Sequence, residues 1–254
     1  MKPTPTFFLL AVLGSLSNSL CRGATVLVDD FSDLTLTEYT QTRILDSTFA
    51  NVNISFSAST GALGASYSGT PNAAEQVVIL RDDYTLGVGE TLTVDVSQAT
   101  STSDLDLGIV VATTKSPTAV SSLDLDTRDT MQWASVYIRP NQNAVRSLSY
   151  DGTTLVSGTG VLTADETTVA KLWIKRDSAN TFSLGYINTS ATSFTSKTVT
   201  MGSSSVGAAI GFYADLRVAG GTLGTLDNLT IIPEPSTAIL AGLTAIGLGF
   251  RRKR

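Results

Sequence analysis

Apolar side chains recur at every second position through much of residues 24–232, a period that a strand sorts onto two faces and a helix does not. Leu92, Val94 and Val96 fall on one face of their run, and Leu105, Leu107, Ile109 and Val111 on one face of the next. Met131, Trp133 and Tyr137 alternate with Gln132, Ala134 and Val136, while Phe182, Leu184 and Tyr186 alternate with Ser183, Gly185 and Ile187. Segments 169–176, 206–214 and 223–232 behave in the same way, and turn-forming residues such as Asp151-Gly152, Ser178-Ala179-Asn180 and Gly220-Gly221 separate the runs. Serine and threonine make up about a quarter of the chain, a composition that suits strands and turns. No amphipathic helix, internal repeat or long linker interrupts the series. The pattern predicts an all-β fold, an antiparallel two-sheet β-sandwich or jelly roll of half-buried strands, as one domain over 24–232.

Both ends read as delivery signals. Residues 1–23 run from Lys2 through the apolar Phe7 to Leu13 to small residues around Cys21, which is the layout of a secretory signal peptide cleaved after Gly23 or Ala24. Its apolar run is too short to span a bilayer, which takes about 20 residues. Leu20 is too bulky to precede a lipidated cysteine. At the other end Pro233-Glu234-Pro235 is followed by an uncharged stretch from Ser236 to Phe250 and then by Arg251, Arg252, Lys253 and Arg254. As a helix the stretch would reach about 22 Å, short of the roughly 30 Å hydrocarbon core, and its glycines weaken it. The four terminal cations are expected to stay cytoplasmic, which leaves the body on the far side of the membrane.

This order of acidic tripeptide, short hydrophobic helix and basic end resembles the PEP-CTERM sorting signal of exported proteins in Gram-negative, biofilm-forming bacteria. The resemblance implies that residues 233–254 are a processed tail. Pro233, Glu234 and Pro235 would be read and cut by an exosortase-type membrane protease, after transient membrane insertion oriented by Arg251 to Arg254. The product would be left at the cell surface or in an exopolysaccharide matrix. The alternative is a permanently anchored periplasmic protein.

The body carries a second resemblance. Val28-Asp29-Asp30-Phe31, the hairpin Leu172 to Tyr186, Ala209 to Tyr213 and Leu226 to Ile231 form a series that is similar to the concanavalin A-like lectin/glucanase jelly roll, in which the first and last strands pair. That likeness implies a sheet able to hold sugars and a loop supported by calcium.

Composition removes several chemistries. The chain has no histidine, so it has no Ser-His-Asp triad, no Cys-His pair, no histidine metal ligand and no histidine pH switch. Cys21 is its single cysteine, and no intramolecular disulfide forms. Residues 24–232 hold 11 basic and 21 acidic side chains, a net charge of −10. Nucleic acid is therefore not expected as a partner, because such binding rests on Lys and Arg neutralising phosphates.

Glycoside hydrolysis needs two carboxyl groups about 5 to 10 Å apart. The glucanase arrangement Glu-x-Asp-x-Glu is absent, and the body's Glu38, Glu75, Glu90 and Glu166 are isolated, so no catalytic residue is expected. Asp104 and Asp106 alternate on one strand, which reads as a solvated face or as a second set of calcium ligands behind the better one that follows. Asp124, Asp126 and Asp129 crowd a polar segment and are the candidate calcium ligands, since calcium takes six to eight oxygens. Beyond calcium no cofactor is expected. Trp133, Tyr137, Tyr150, Trp173 and Tyr213 are rings large enough to stack on sugars, but alternating aromatics are more often core. Sequons at Asn53, Asn188 and Asn228 arise readily by chance in so Ser/Thr-rich a chain. The expectation is an exported, non-enzymatic surface or matrix protein, handled by the secretion machinery and an exosortase, whose body binds polysaccharide or builds matrix. A secreted carbohydrate-active enzyme is the rival reading.

Overall fold

The computed structural model describes residues 24–46, 54–59, 61–67, 75–97, 105–115, 131–139, 144–161, 168–216 and 225–234. The expected signal peptide, the hydrophobic stretch of the tail and the Asp124–Asp129 segment lie outside these residues. Chain contacts divide into a body, Leu27–Ile231, and a second unit made of Met1–Val26 and Ile232–Arg254.

The described residues contain fifteen strands. In chain order they are β1 (Val26–Asp29), β2 (Thr40–Asp46), β3 (Ile54–Ser59), β4 (Ala62–Tyr67), β5 (Glu75–Arg81), β6 (Glu90–Ser97), β7 (Leu105–Ala112) and β8 (Trp133–Arg139). They continue as β9 (Ala144–Tyr150), β10 (Leu155–Val161), β11 (Val169–Arg176), β12 (Thr181–Asn188), β13 (Ser193–Thr200), β14 (Ala209–Leu216) and β15 (Thr225–Pro233). An eight-stranded sheet has the order β13-β12-β11-β6-β15-β4-β3, with β1 also pairing β15, and a seven-stranded sheet has the order β10-β9-β8-β7-β14-β5-β2. The two antiparallel sheets form the sandwich that the alternation predicts, and the first and last strands pair.

The shared core is built from one face of each sheet. Leu92, Val94, Leu172, Ile174, Phe182 and Leu184 come from the eight-stranded sheet, and Val77, Ile79, Ile109, Val111, Val136, Ile210 and Phe212 from the seven-stranded one. Phe31 adds a fully buried ring 5.5 Å from Phe212. It sits at a φ of 54°, a left-handed conformation in a non-glycine residue, and its amide donates to the Asp29 carboxylate at 2.8 Å. Arg176, at the end of β11, closes the adjoining loops by donating to the carbonyls of Leu86, Ala179 and Ser204.

The expectation of half-buried strands fails for the seven-stranded sheet. Every residue of β8 is buried, and the face turned away from the shared core carries a second apolar cluster of Val78, Leu80, Val110, Trp133, Tyr137, Tyr150 and Tyr213. Strands covered on both faces read as continuous apolar runs, and that is how Val77-Val78-Ile79-Leu80 and Ile109-Val110-Val111-Ala112 read.

Candidate functional site

The second face of the seven-stranded sheet is where chemistry-bearing side chains converge. Register aligns Tyr137 of β8, Gly108 of β7 and Tyr213 of β14 in one row across three strands. Glycine leaves open the space that a side chain on β7 would fill, and the two tyrosine rings stack across it with centroids 5.0 Å apart. A Cβ on Gly108 would lie 2.0 Å from the Val136 carbonyl oxygen and 2.5 Å from the Tyr137 Cα. Two rows along on the same face, Trp133, Ala112 and Ala209 align, again with small residues beside the large one. Trp133 stacks on Tyr213 at 5.9 Å, so Tyr213 lies between both rings.

A buried polar cluster occupies the row next to Gly108 on its other side. Asp106 of β7 is directly opposite Asp215 of β14, and both are at most 1% exposed. Arg139 reaches Asp106 with Nε at 2.9 Å from each carboxylate oxygen and with Nη2 on Oδ2. The same Nη2 is 3.9 Å from Asp215 Oδ2. That oxygen also accepts from Gln76 Nε2 and from the Tyr213 hydroxyl, each at 3.2 Å. Burial pushes the Asp106 carboxyl up to about 7, aided by the charge of Asp215 and opposed by Arg139. Desolvation likewise raises the Tyr213 hydroxyl well above its ordinary range. The reading of Asp106 as part of a solvated face is corrected: an arginine on the adjacent strand satisfies it in the interior. Asp104 lies outside the described residues.

A cleft of about 230 Å³ opens elsewhere on the body, lined by Leu27, Val28, Asp29, Asp30, Ser32, Asp33, Glu38 and Arg81. Three carboxylates there fold the chain itself: Asp29, Asp30 and Asp33 accept from the amides of Phe31, Ser32 and Thr35. Arg81 donates to Asp29 and Asp83 and lies against the rings of Tyr39 and Tyr84, 5.1 and 5.0 Å from their centroids.

The remaining surface of interest is the outer face of the eight-stranded sheet. Ser55, Ser57, Ser59, Ser193, Thr195, Thr198 and Thr200 are exposed there. Hydroxyl pairs bridge strands, Thr93 to Thr230 at 2.6 Å and Ser183 to Thr198 at 3.2 Å. Trp173 lies over Gly185, whose Cβ would meet the indole at 2.4 Å.

The predicted residues divide among these places. Pro233 closes β15 and Glu234 is exposed, while Pro235 and Arg251, Arg252, Lys253 and Arg254 lie outside the described residues. The candidate calcium ligands Asp124, Asp126 and Asp129 also lie outside them. Among the described residues no three carboxylates are grouped so as to hold a metal ion. Trp133, Tyr137, Tyr150, Trp173 and Tyr213 are all buried. Asn188 is buried with its amide oxygen accepting from Thr192, and the Asn228 amide donates to Asp95. Neither presents a free sequon, and Asn53 lies outside the described residues. Sequence reasoning missed the meeting of Asp106, Arg139 and Asp215. Spacing along the chain carries no signal for it, because only the register of β7, β8 and β14 brings them together.

Comparison with known proteins agrees with this division between tail and body. Residues 232–254 match the PEP-CTERM protein-sorting motif, which marks the chain as exported and directed to the cell surface. No curated protein matches the chain in sequence. Among solved structures it is similar to the CBM2 module of the evolved Dit of Lactobacillus casei BL23 phage J-1, with 11% identity, a TM-score of 0.50, and 83% of this chain and 94% of that one covered. It is similar also to a legume lectin-like domain from Entamoeba histolytica, with 10% identity, a TM-score of 0.49 and coverage of 78% and 91%. For the lectin UEA-II complexed with galactose the identity is 12%, the TM-score 0.43 and the coverage 83% and 98%. At these identities the likeness is one of fold alone, an antiparallel two-sheet β-sandwich.

Proposed function

We propose that this chain is a cell-surface or extracellular-matrix protein whose tail is cut by an exosortase-type membrane protease, and whose sandwich is a non-catalytic, polysaccharide-facing scaffold. The sorting motif at residues 232–254 carries this reading. In it, Pro233, Glu234 and Pro235 are the recognised segment, the stretch to Phe250 inserts transiently, and Arg251 to Arg254 hold the cytoplasmic side. The body's chemistry supports a non-catalytic role. Its converging carboxylates, Asp106 and Asp215, are buried and bound by Arg139, whereas a glycosidase pair flanks an open cleft that admits substrate and water. Trp133, Tyr137 and Tyr213 are stacked on one another and Tyr150 and Trp173 are buried, so sugar contact falls to the hydroxyls of the eight-stranded sheet's outer face. Rows of serine and threonine hydroxyls donate to and accept from sugar hydroxyls without needing charge, and many weak bonds along a polymer sum to useful avidity.

Mass spectrometry of the protein recovered from the cell surface tests the tail. A C-terminus near Pro235 is expected, and an intact Arg254 in that fraction refutes processing. Retention on isolated exopolysaccharide tests the body. Binding above that of an unrelated acidic sandwich is expected, lost when Thr195 and Thr198 are replaced by bulky glutamines; equal retention of the two proteins removes the sugar-facing role. Release of reducing sugars from a glycan panel, abolished by Asp106→Asn, would instead establish the enzyme reading.

A further inference from the structure

The Asp106–Asp215 cluster has no part in sorting or in sugar contact, and its composition is unusual for an interior. Two carboxylates meet at the Arg139 guanidinium, Asp106 bonded to it and Asp215 3.9 Å away, and all are buried: Asp106 and Tyr213 are 0% exposed, Asp215 1% and Arg139 3%. Asp215 has neutral donors as well, Gln76 and Tyr213, which stabilise it as the ion. Asp106 depends on Arg139 alone among the hydrogen bonds described for it, and it bears the repulsion of Asp215 from the adjacent strand. Two like charges so close in a desolvated site cannot both ionise cheaply, and a shared proton relieves the conflict.

We propose that Asp106 and Asp215 form a proton-operated latch on the β7–β14 seam, which is held closed while the pair retains one proton and loosens as that proton leaves. The groups facing Asp106 are accounted for strand by strand. Tyr137 and Arg139 face it from β8, Tyr213 and Asp215 from β14, and the charge of Arg146 acts on it from β9. On the opposite side of β7, β11 sends the apolar Val169, Leu172 and Ile174 into the core. The sign follows from burial. The folded protein holds the Asp106 proton up to about pH 7, against an ordinary value of 3.8. Folding therefore binds a proton across this window, and stability is lost as the pH rises from about 4 through 7. The inference is independent of the sorting and sugar-binding reading.

Urea unfolding of the full chain at several pH values between 4.5 and 8, followed by amide hydrogen exchange in β7 and β14, tests the latch. The wild-type unfolding constant is expected to rise with pH by up to about tenfold per unit, the limit for one proton. Asp106→Asn keeps the shape of the neutral carboxyl and is expected to flatten that rise, with the β7 and β14 amides losing their pH-dependent opening. Parallel pH profiles for the wild type and Asp106→Asn would overturn the proposal. Should the variant fail to fold, the infrared band of a buried protonated carboxyl in the wild type decides the matter. Its presence at pH 5 and loss near pH 7 support the latch, and its absence at pH 5 refutes it.

Discussion

Gly108 shows how one missing side chain sets the form of a whole face. It occupies the β7 position between Tyr137 and Tyr213, and the rings meet at 5.0 Å only because nothing projects between them. Gly108→Ala would drive its methyl group to 2.0 Å from the Val136 carbonyl oxygen, a backbone atom fixed in the sheet. The strand must shift, so a loss of about 3 kcal/mol or more is expected, in the upper range for overpacking. Gly64 is the control. There the nearest atom to a Cβ is the Ser57 carbonyl oxygen at 4.0 Å, and Gly64→Ala is expected to be neutral or to stabilise by about 0.5 kcal/mol through the unfolded chain. Urea midpoints of the two variants check the contrast, and comparable losses at both sites would refute it. A glycine inside a strand run is visible in the sequence and suggests close approach. What approaches is not visible, because Tyr137 and Tyr213 are remote in sequence and meet only through the order of the strands.

Among elements, β15 shows where alternation can be read and where it slips. Leu226, Leu229 and Ile231 are all buried, although the step from 226 to 229 breaks period two. The structure reconciles them by turning Asn228 left-handed, at a φ of 52°, which adds one residue and rephases the strand in the manner of a β-bulge. Asparagine adopts this conformation more readily than most residues, and its amide is anchored by Asp95 of β6 at 3.1 Å. Asn228→Gly is therefore expected to lose only that hydrogen bond, about 1 kcal/mol. Asn228→Val, branched at Cβ, is expected to lose roughly 1 to 2 kcal/mol more. Thermal midpoints of the pair measure the difference, and equal midpoints would count against the bulge. The same comparison explains the legibility of the fold. Strands β6, β11 and β12 keep a half-buried outer face with polar Thr91, Asp95, Lys171, Lys175 and Ser183 and declare themselves by alternation, so their residues and the sandwich follow from the sequence. Strands β5, β7, β8 and β14 are covered on both faces, and the alternating polar positions that would mark an outer face are replaced by Val78, Val110, Trp133 and Tyr213. Their second face, and with it the Asp106 cluster, therefore carries no sequence signal that separates it from a solvated face.

The pH response of the whole molecule combines opposing arms. Asp30, Asp83 and Asp151 are held below the ordinary carboxylate range, Asp30 by Ser32, Asp83 by Arg81, and Asp151 by the amides of Thr153 and Thr154. For depressed groups the folded state favours the ion, so their contribution is complete above the unfolded value near 3.8 and disappears as the pH falls through the folded values. Asp106 works in the other direction, and a body of net charge −10 adds self-repulsion that grows as its remaining carboxylates ionise. Stability should therefore peak in the mildly acidic range, at about pH 4 to 5, and decline on both sides. The two causes on the alkaline side respond differently to salt. Repulsion among surface carboxylates is screened within about 8 Å at physiological ionic strength, whereas the Asp106–Asp215 repulsion is buried and is screened much less. Thermal midpoints measured from pH 2.5 to 8, at low and high salt, separate them. Salt is expected to shrink the alkaline decline without abolishing it, and Asp151→Asn is expected to flatten only the acid arm. A profile that rises steadily to pH 8, or an alkaline decline that vanishes in salt, would mean that the exposed charges govern this protein and the buried pair does not.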